Sequence, residues 1–141
     1  NIAGPHTGSI SNMPSILAEI SFLSNATDGR YVERVAVRLG MRPFFDPFIV
    51  SADIGVRKPR SEAYRAVLDR WPLPAEEVAM VGDSLYHDVG GANRLGLYSV
   101  HFTQIANPGD LAFRDPIVPR TAASSHAALR AALMPLLDAA P

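Results

Sequence analysis

The chain has 141 residues, 48% of them apolar and 19% charged, with a formal net charge of -1. That suits one globular domain with a core large enough to need no staples, and it excludes a disordered chain and a broadly basic nucleic-acid surface. No cysteine occurs, which excludes disulfides, thiolate metal sites and a cysteine nucleophile.

No apolar run approaches the length of a membrane span, and no basic-then-apolar leader is visible. A cytoplasmic protein without membrane or nucleic-acid partners is therefore expected. Residues 1–12, "NIAGPHTGSISN", are small and polar and read as an irregular tail, leaving 13–141 as the domain. Ile20 to Leu23 predicts a short strand, and "SNATDG" a turn rich in helix-capping residues. A helix follows with Tyr31, Val32, Val35 and Leu39 on one face and Gly40 just past its end. Phe48 to Val50 predicts the next strand, and "SADIGVRKPRS" a loop. Ser61 is placed to cap a second helix whose apolar stripe is Tyr64, Val67, Leu68 and Trp71, stopped by Pro72.

Val78 to Val81 is nearly all apolar, as strands covered on both faces are. Asp83 ends it. A helix over about Tyr86 to Leu95 stops at Gly96, and Tyr98 to Phe102 is a fourth strand. Pro116 to Val118 predicts a short edge strand. Ser124 or Ser125 starts a last helix carrying Leu129, Leu133, Leu136 and Leu137, with Pro135 expected to kink or end it. Strands alternating with helices predict an α/β fold, a parallel sheet with helices on both faces.

Ligands of such a sheet bind beyond the carboxyl ends of its strands. Ser24 and Asn25 follow one predicted strand, Asp83 and Ser84 another, and Lys58 lies in a loop between a strand and its helix. A hydroxyl, an amide, an ammonium and two carboxylates thus share one rim. Lys58 is the only lysine beside twelve arginines, and a compact ammonium suits a phosphate or carboxylate. Carboxylates alone repel a phosphate. A hard cation such as Mg2+ reconciles them, since it needs only one or two carboxylates plus water and substrate oxygens. Asp88, one helical turn on, is positioned to bond a metal-bound water or to orient Asp83 and Lys58. Gly82 permits a sharp turn, and Gly90 and Gly91 a close approach of helix to sheet. Plainer readings stand beside these. Asp83, Asp88 and Ser24 also suit helix caps, and Lys58 suits a solvated loop. The four histidines match no metal-ligand spacing, and no phosphate-binding glycine loop or nucleophile elbow occurs.

In order and spacing these residues resemble the haloacid dehalogenase-like hydrolases. "FLSN" looks like the family's second motif, with Ser24. "VRKP" is similar to the third, with Lys58, and "MVGDSLYHD" to the fourth, with Asp83 and Asp88. The run from Phe22 to about Phe102 is family-like throughout, including "FFDPFIVSADIGVRKP". The resemblance implies a Rossmann-like core and Mg2+-dependent hydrolysis of a small phosphate monoester by an aspartate nucleophile. It implies that Ser24 hydrogen-bonds the phosphoryl oxygens and Asn25 helps shape the pocket. Lys58 neutralises charge on nucleophile and phosphoryl group, Asp83 ligates Mg2+, and Asp88 supports the metal or Lys58. The expected catalytic residues are thus Lys58 and Ser24, the substrate-binding residues Ser24, Asn25 and Lys58, and the metal residues Asp83 and Asp88.

The family's first motif, an apolar strand followed by Asp-x-Asp, is missing: no aspartate of this sequence has another two residues away. In the family that strand is the middle of the sheet, between those ending at Ser24 and Asp83. Without it two inward edges lose their partners, at about 1–3 kcal/mol for each buried group left unpaired. Three closures are open: the two strands pair directly, residues 1–12 insert, or another chain supplies a strand. The family's cap domain is missing too. The chain as written is expected to hydrolyse negligibly, as part of a longer enzyme or as a non-catalytic phosphate- or metal-binding or assembly module. Dehalogenation at carbon is a weaker rival. Homo-oligomers or strand exchange are expected from a partly open sheet.

Overall fold

The computed structural model describes residues 19–105 and 115–138. The expected tail at 1–12 lies outside the described residues. Among the described residues five strands and five α-helices follow one another in chain order: β1 (Phe22–Ser24), α1 (Gly29–Arg38), β2 (Phe48–Val50), α2 (Ser51–Ile54), α3 (Ser61–Leu68), β3 (Ala79–Gly82), α4 (Gly91–Leu95), β4 (Tyr98–Phe102), β5 (Thr121–Ala123) and α5 (His126–Asp138). All described ladders are parallel. This is an α/β fold of parallel strands flanked by helices.

The described strands form two sheets rather than one. β1 pairs with β2, and β3, β4 and β5 form a second sheet in that order. Residues of a parallel strand point their backbone groups alternately to one side and the other. Phe22 N–H donates to Pro47 O at 3.1 Å and Asp46 N–H to Ile20 O at 2.8 Å, so the even residues of β1 face β2. Leu23 faces away. Tyr98 N–H donates to Val78 O at 2.9 Å. The groups of Ala79 and Val81 therefore face away from β4. Among the described residues no ladder joins β1 to β3, so direct pairing of those strands is not how the sheet closes.

One helical layer holds the two sheets together. Tyr64 of α3, Val78, Ala92 of α4 and Leu97 form the core, and Leu23 of β1 and Met80 of β3 both pack on it. Phe22 and Phe48 stack across the first ladder, centroids 4.5 Å apart, with Phe45 tilted beside Phe22 at 5.4 Å.

Several local expectations shift. β3 is not covered on both faces, since Ala79 is exposed and Val81 is 36% exposed. The last strand lies at Thr121–Ala123 rather than 116–118, where Pro116 and Pro119 interrupt the backbone donors a ladder needs. Ser61 is the first helical residue of α3; the cap position is Arg60 and makes no side-chain cap bond. Ser125 does cap α5, accepting from Ala128 N–H at 3.1 Å, and α5 continues past Pro135 to Asp138. The segment expected as one helix over 86–95 is a wider π-helical turn, Leu85–Gly90, leading into α4. Gly96 ends α4 at φ +77°, a conformation that glycine adopts without strain.

Candidate active site

The backbone reaches the rim of the sheets at three places: after β1, before α3 and after β3. After β1 stand Ser24 and Asn25. The Asn25 side chain is committed to Lys58. Its Nδ2 donates to Lys58 O at 2.9 Å, and Lys58 N–H donates to Asn25 Oδ1 at 2.8 Å. An amide has both a donor and an acceptor, so one side chain satisfies both backbone groups of a loop residue. Asn25 therefore places Lys58. Ser51 does the same for the turn after β1: its hydroxyl donates to Ala26 O and accepts from Ala26 N–H, both at 3.0 Å.

Lys58 is 8% exposed. Its Nζ donates to Leu23 O, the carbonyl on the free edge of β1, at 2.7 Å. The same Nζ lies 2.7 Å from Asp88 Oδ1. Asp88 is 4% exposed, and its other oxygen, Oδ2, accepts from Ser84 N–H at 3.1 Å. A buried carboxylate is tolerable only with partners of this kind, and here ammonium and amide supply them. The plainer reading of Lys58 as a solvated loop charge is thereby excluded.

Gly82 serves this arrangement by close approach rather than by a sharp turn. A Cβ there would lie 2.1 Å from Asp88 Oδ2. Only a residue without a side chain lets the carboxylate fold back over the end of β3.

Asp83 is exposed. Its carbonyl accepts from His101 Nε2 at 3.0 Å, whereas its carboxylate makes no hydrogen bond or ion pair among the described residues. The Ser24 hydroxyl, half-buried, is likewise without a partner among the described residues. Of the five expected site residues, the structure thus locks Asn25, Lys58 and Asp88 to one another and leaves a hydroxyl and a carboxylate at the ends of β1 and β3.

No group of three His, Asp or Glu converges among the described residues. That donor set does not suit a metal caged by protein ligands. It does suit a hard ion that takes one carboxylate and keeps its water, as Mg2+ does, with Asp83 as the available oxygen donor. Two cavities lie elsewhere, one of about 360 Å3 beside Ile20, Pro47 and Trp71 and one of about 380 Å3 beside Leu97 and Val118. Neither touches the rim residues.

Sequence reasoning missed Ser51 and Tyr64. Tyr64 was read as part of an apolar stripe, but its hydroxyl reaches the turn that carries Asp88. A phenol in a buried stripe was the available signal, because its oxygen needs a partner.

Comparison with known proteins bears on the same residues. The family model of the haloacid dehalogenase-like hydrolases matches residues 17–96, more than half of the chain. A glyceraldehyde 3-phosphate phosphatase of Methanocaldococcus jannaschii is 37% identical over 98 residues, 68% of this chain and 42% of that protein. A phosphoserine phosphatase of Thermus thermophilus is 30% identical over 91 residues, 64% of this chain and 36% of that protein. The magnesium-bound crystal structure of the HAD-hydrolase YfnB from Bacillus subtilis superposes with a TM-score of 0.70 at 26% identity, covering 82% of this chain and 49% of that one. The chain thus spans less than half the length of these relatives. Because that family model covers more than half of the chain, this chain belongs to the haloacid dehalogenase-like hydrolases.

Proposed function

We propose that this chain carries the phosphate- and Mg2+-holding part of a hydrolase of small phosphate monoesters, and that by itself it binds without turning substrate over. The observation that carries the reading is the buried Lys58–Asp88 pair, 2.7 Å apart, together with a Ser24 hydroxyl and an Asp83 carboxylate that have no partner among the described residues. Phosphoryl transfer asks a protein chiefly for positioning and charge neutralisation. In this reading Ser24 donates to a phosphoryl oxygen, and Lys58, fixed by Asn25, offsets its negative charge. Asp83 would hold Mg2+, and Asp88 would keep Lys58 in place. Mg2+, when bound, supplies further charge neutralisation at the phosphoryl oxygens. The phosphatase relatives support a small phosphorylated substrate.

Hydrolysis also needs a nucleophilic carboxylate and an acid to protonate the leaving oxygen. The chain has no Asp-x-Asp to supply them. The edges of β1 and β3 that no described strand pairs mark where a strand bearing such a pair would lie, whether it comes from the same polypeptide, a second copy or another chain.

The test is calorimetric titration with Mg2+ and then with orthovanadate, a phosphate mimic, on the chain and on Asp83→Asn and Ser24→Ala. Mg2+ binding lost in Asp83→Asn, with vanadate binding weakened in Ser24→Ala, is expected. Equal binding by all three proteins would overturn the assignment. A chain that binds neither probe would be an assembly module instead.

A further inference from the structure

Tyr64 is 2% exposed, yet it carries a hydroxyl into the core. That oxygen meets the main-chain carbonyls of His87 and Asp88, the latter at 3.1 Å. Packing alone would be served by a bare ring, with no polar atom to desolvate. The surroundings are also cut to fit the oxygen. A Cβ on Gly91 would lie 2.2 Å from the Tyr64 hydroxyl. The glycine thus leaves the volume that the phenol oxygen occupies.

The hydroxyl meets a turn of unusual width. Both Asp88 N–H and Val89 N–H donate to Ser84 O, at 2.9 and 3.2 Å. The second of these spans five residues and is the bond of a π-helical turn, which is rare and needs support from outside the helix. Tyr64 also stands in α3, the helix that begins three residues after Lys58. The two pieces of chain are therefore joined twice: side chain to side chain by Lys58 and Asp88, and side chain to backbone by Tyr64.

From this double clamp we infer that Tyr64 is a positioning residue for the site, its hydroxyl holding the 85–90 turn in the register that presents the Asp88 carboxylate to Lys58. The inference rests on the proposed function for its consequence in Mg2+ binding, but not for the clamp itself. Removing only the oxygen leaves the ring to fill the core. The turn then loses an anchor, and the Asp88 carboxylate that pairs with Lys58 gains freedom, five residues after Asp83. Loss of a partner that orients a ligand set weakens metal affinity by about tenfold or more.

The experiment compares the chain with Tyr64→Phe and with Leu97→Ala, which trims the same core cluster and is not itself a rim residue. Amide hydrogen exchange is followed by NMR, and Mg2+ affinity by calorimetry. The expected result for Tyr64→Phe is exchange about fivefold faster at Asp88 and Val89, the size of one lost hydrogen bond, with other core amides little changed. Its Mg2+ dissociation constant rises about tenfold. Leu97→Ala loses stability throughout and keeps the parent's Mg2+ affinity. Unchanged exchange at Asp88 and Val89 in Tyr64→Phe, or a rise shared equally with the rest of the core, would show that the hydroxyl positions nothing. If the parent binds no Mg2+, the proposed function fails, while the exchange data still decide the role of Tyr64.

Discussion

At the scale of residues the site is a set of commitments between neighbours. Lys58 is buried and shared between Leu23 O and Asp88. Lys58→Met leaves the Asp88 carboxylate buried without its counter-charge, which costs about 3–5 kcal/mol. Urea denaturation should show that loss, and the double variant Lys58→Met, Asp88→Asn should recover part of it. Tyr64 makes a second prediction. Burial, and then the negative charge of Asp88, push its phenol well above the ordinary tyrosine range. Unfolded tyrosine titrates near about 10. Above that pH the unfolded chain loses the proton that the folded chain keeps, so stability falls as pH rises. Below it, Tyr64 adds no slope. Denaturation curves measured from pH 8 to 11 should therefore fall more steeply for the parent above pH 10 than for Tyr64→Phe, with parallel behaviour below. That Ser24 and Asp83 follow strands and that Lys58 lies in a loop before a helix was legible in the sequence. What each touches was not. The pairing of Asn25 with the Lys58 backbone depends on two loops 33 residues apart meeting, and no local pattern encodes that meeting.

At the scale of elements the period of the apolar residues located strands and helices but not their surroundings. α1 is the clearest case. Tyr31, Val32, Val35 and Leu39 were expected on one face; of these Val32 is half-buried, while Tyr31, Val35 and Leu39 are 59%, 37% and 66% exposed and Ala36 is buried. A helical period shows that a face is apolar; it does not show that the described chain covers it. The start of α1 is better determined. Asp28 accepts from Tyr31 N–H at 3.0 Å and satisfies one orphan donor of the first turn. Asp28→Ala should lower stability by about 1 kcal/mol, read as a drop in denaturation midpoint with unchanged slope. The π-helical turn at 85–90 was invisible to the same reasoning. Its register comes from Tyr64 and Gly82, residues of other elements, rather than from its own propensities.

At the scale of the molecule the governing feature is the sheet in two parts. Strands of three to five residues are short, and neither sheet has the extent to stand alone. They are held by the shared cluster around Tyr64. Among the described residues, Leu23 N–H and the backbone groups of Ala79 and Val81 face away from the ladders and are what a further strand would satisfy, while Leu23 O already accepts from Lys58 Nζ. The missing first motif was readable in the sequence from the spacing of aspartates, and the split sheet is its structural counterpart. Open edges favour association. Light scattering over a concentration series should show the chain forming dimers or larger species, and a monomer at every concentration would count against strand exchange.

The most direct test of the whole account is a hydrolysis assay of the chain alone with p-nitrophenyl phosphate and Mg2+, run beside Asp83→Asn. The account predicts no turnover above background in either protein, because the residues proposed to hold phosphate and metal are present and no Asp-x-Asp pair is. Mg2+-dependent turnover by the chain, abolished in Asp83→Asn, would contradict it and place a nucleophile within these 141 residues.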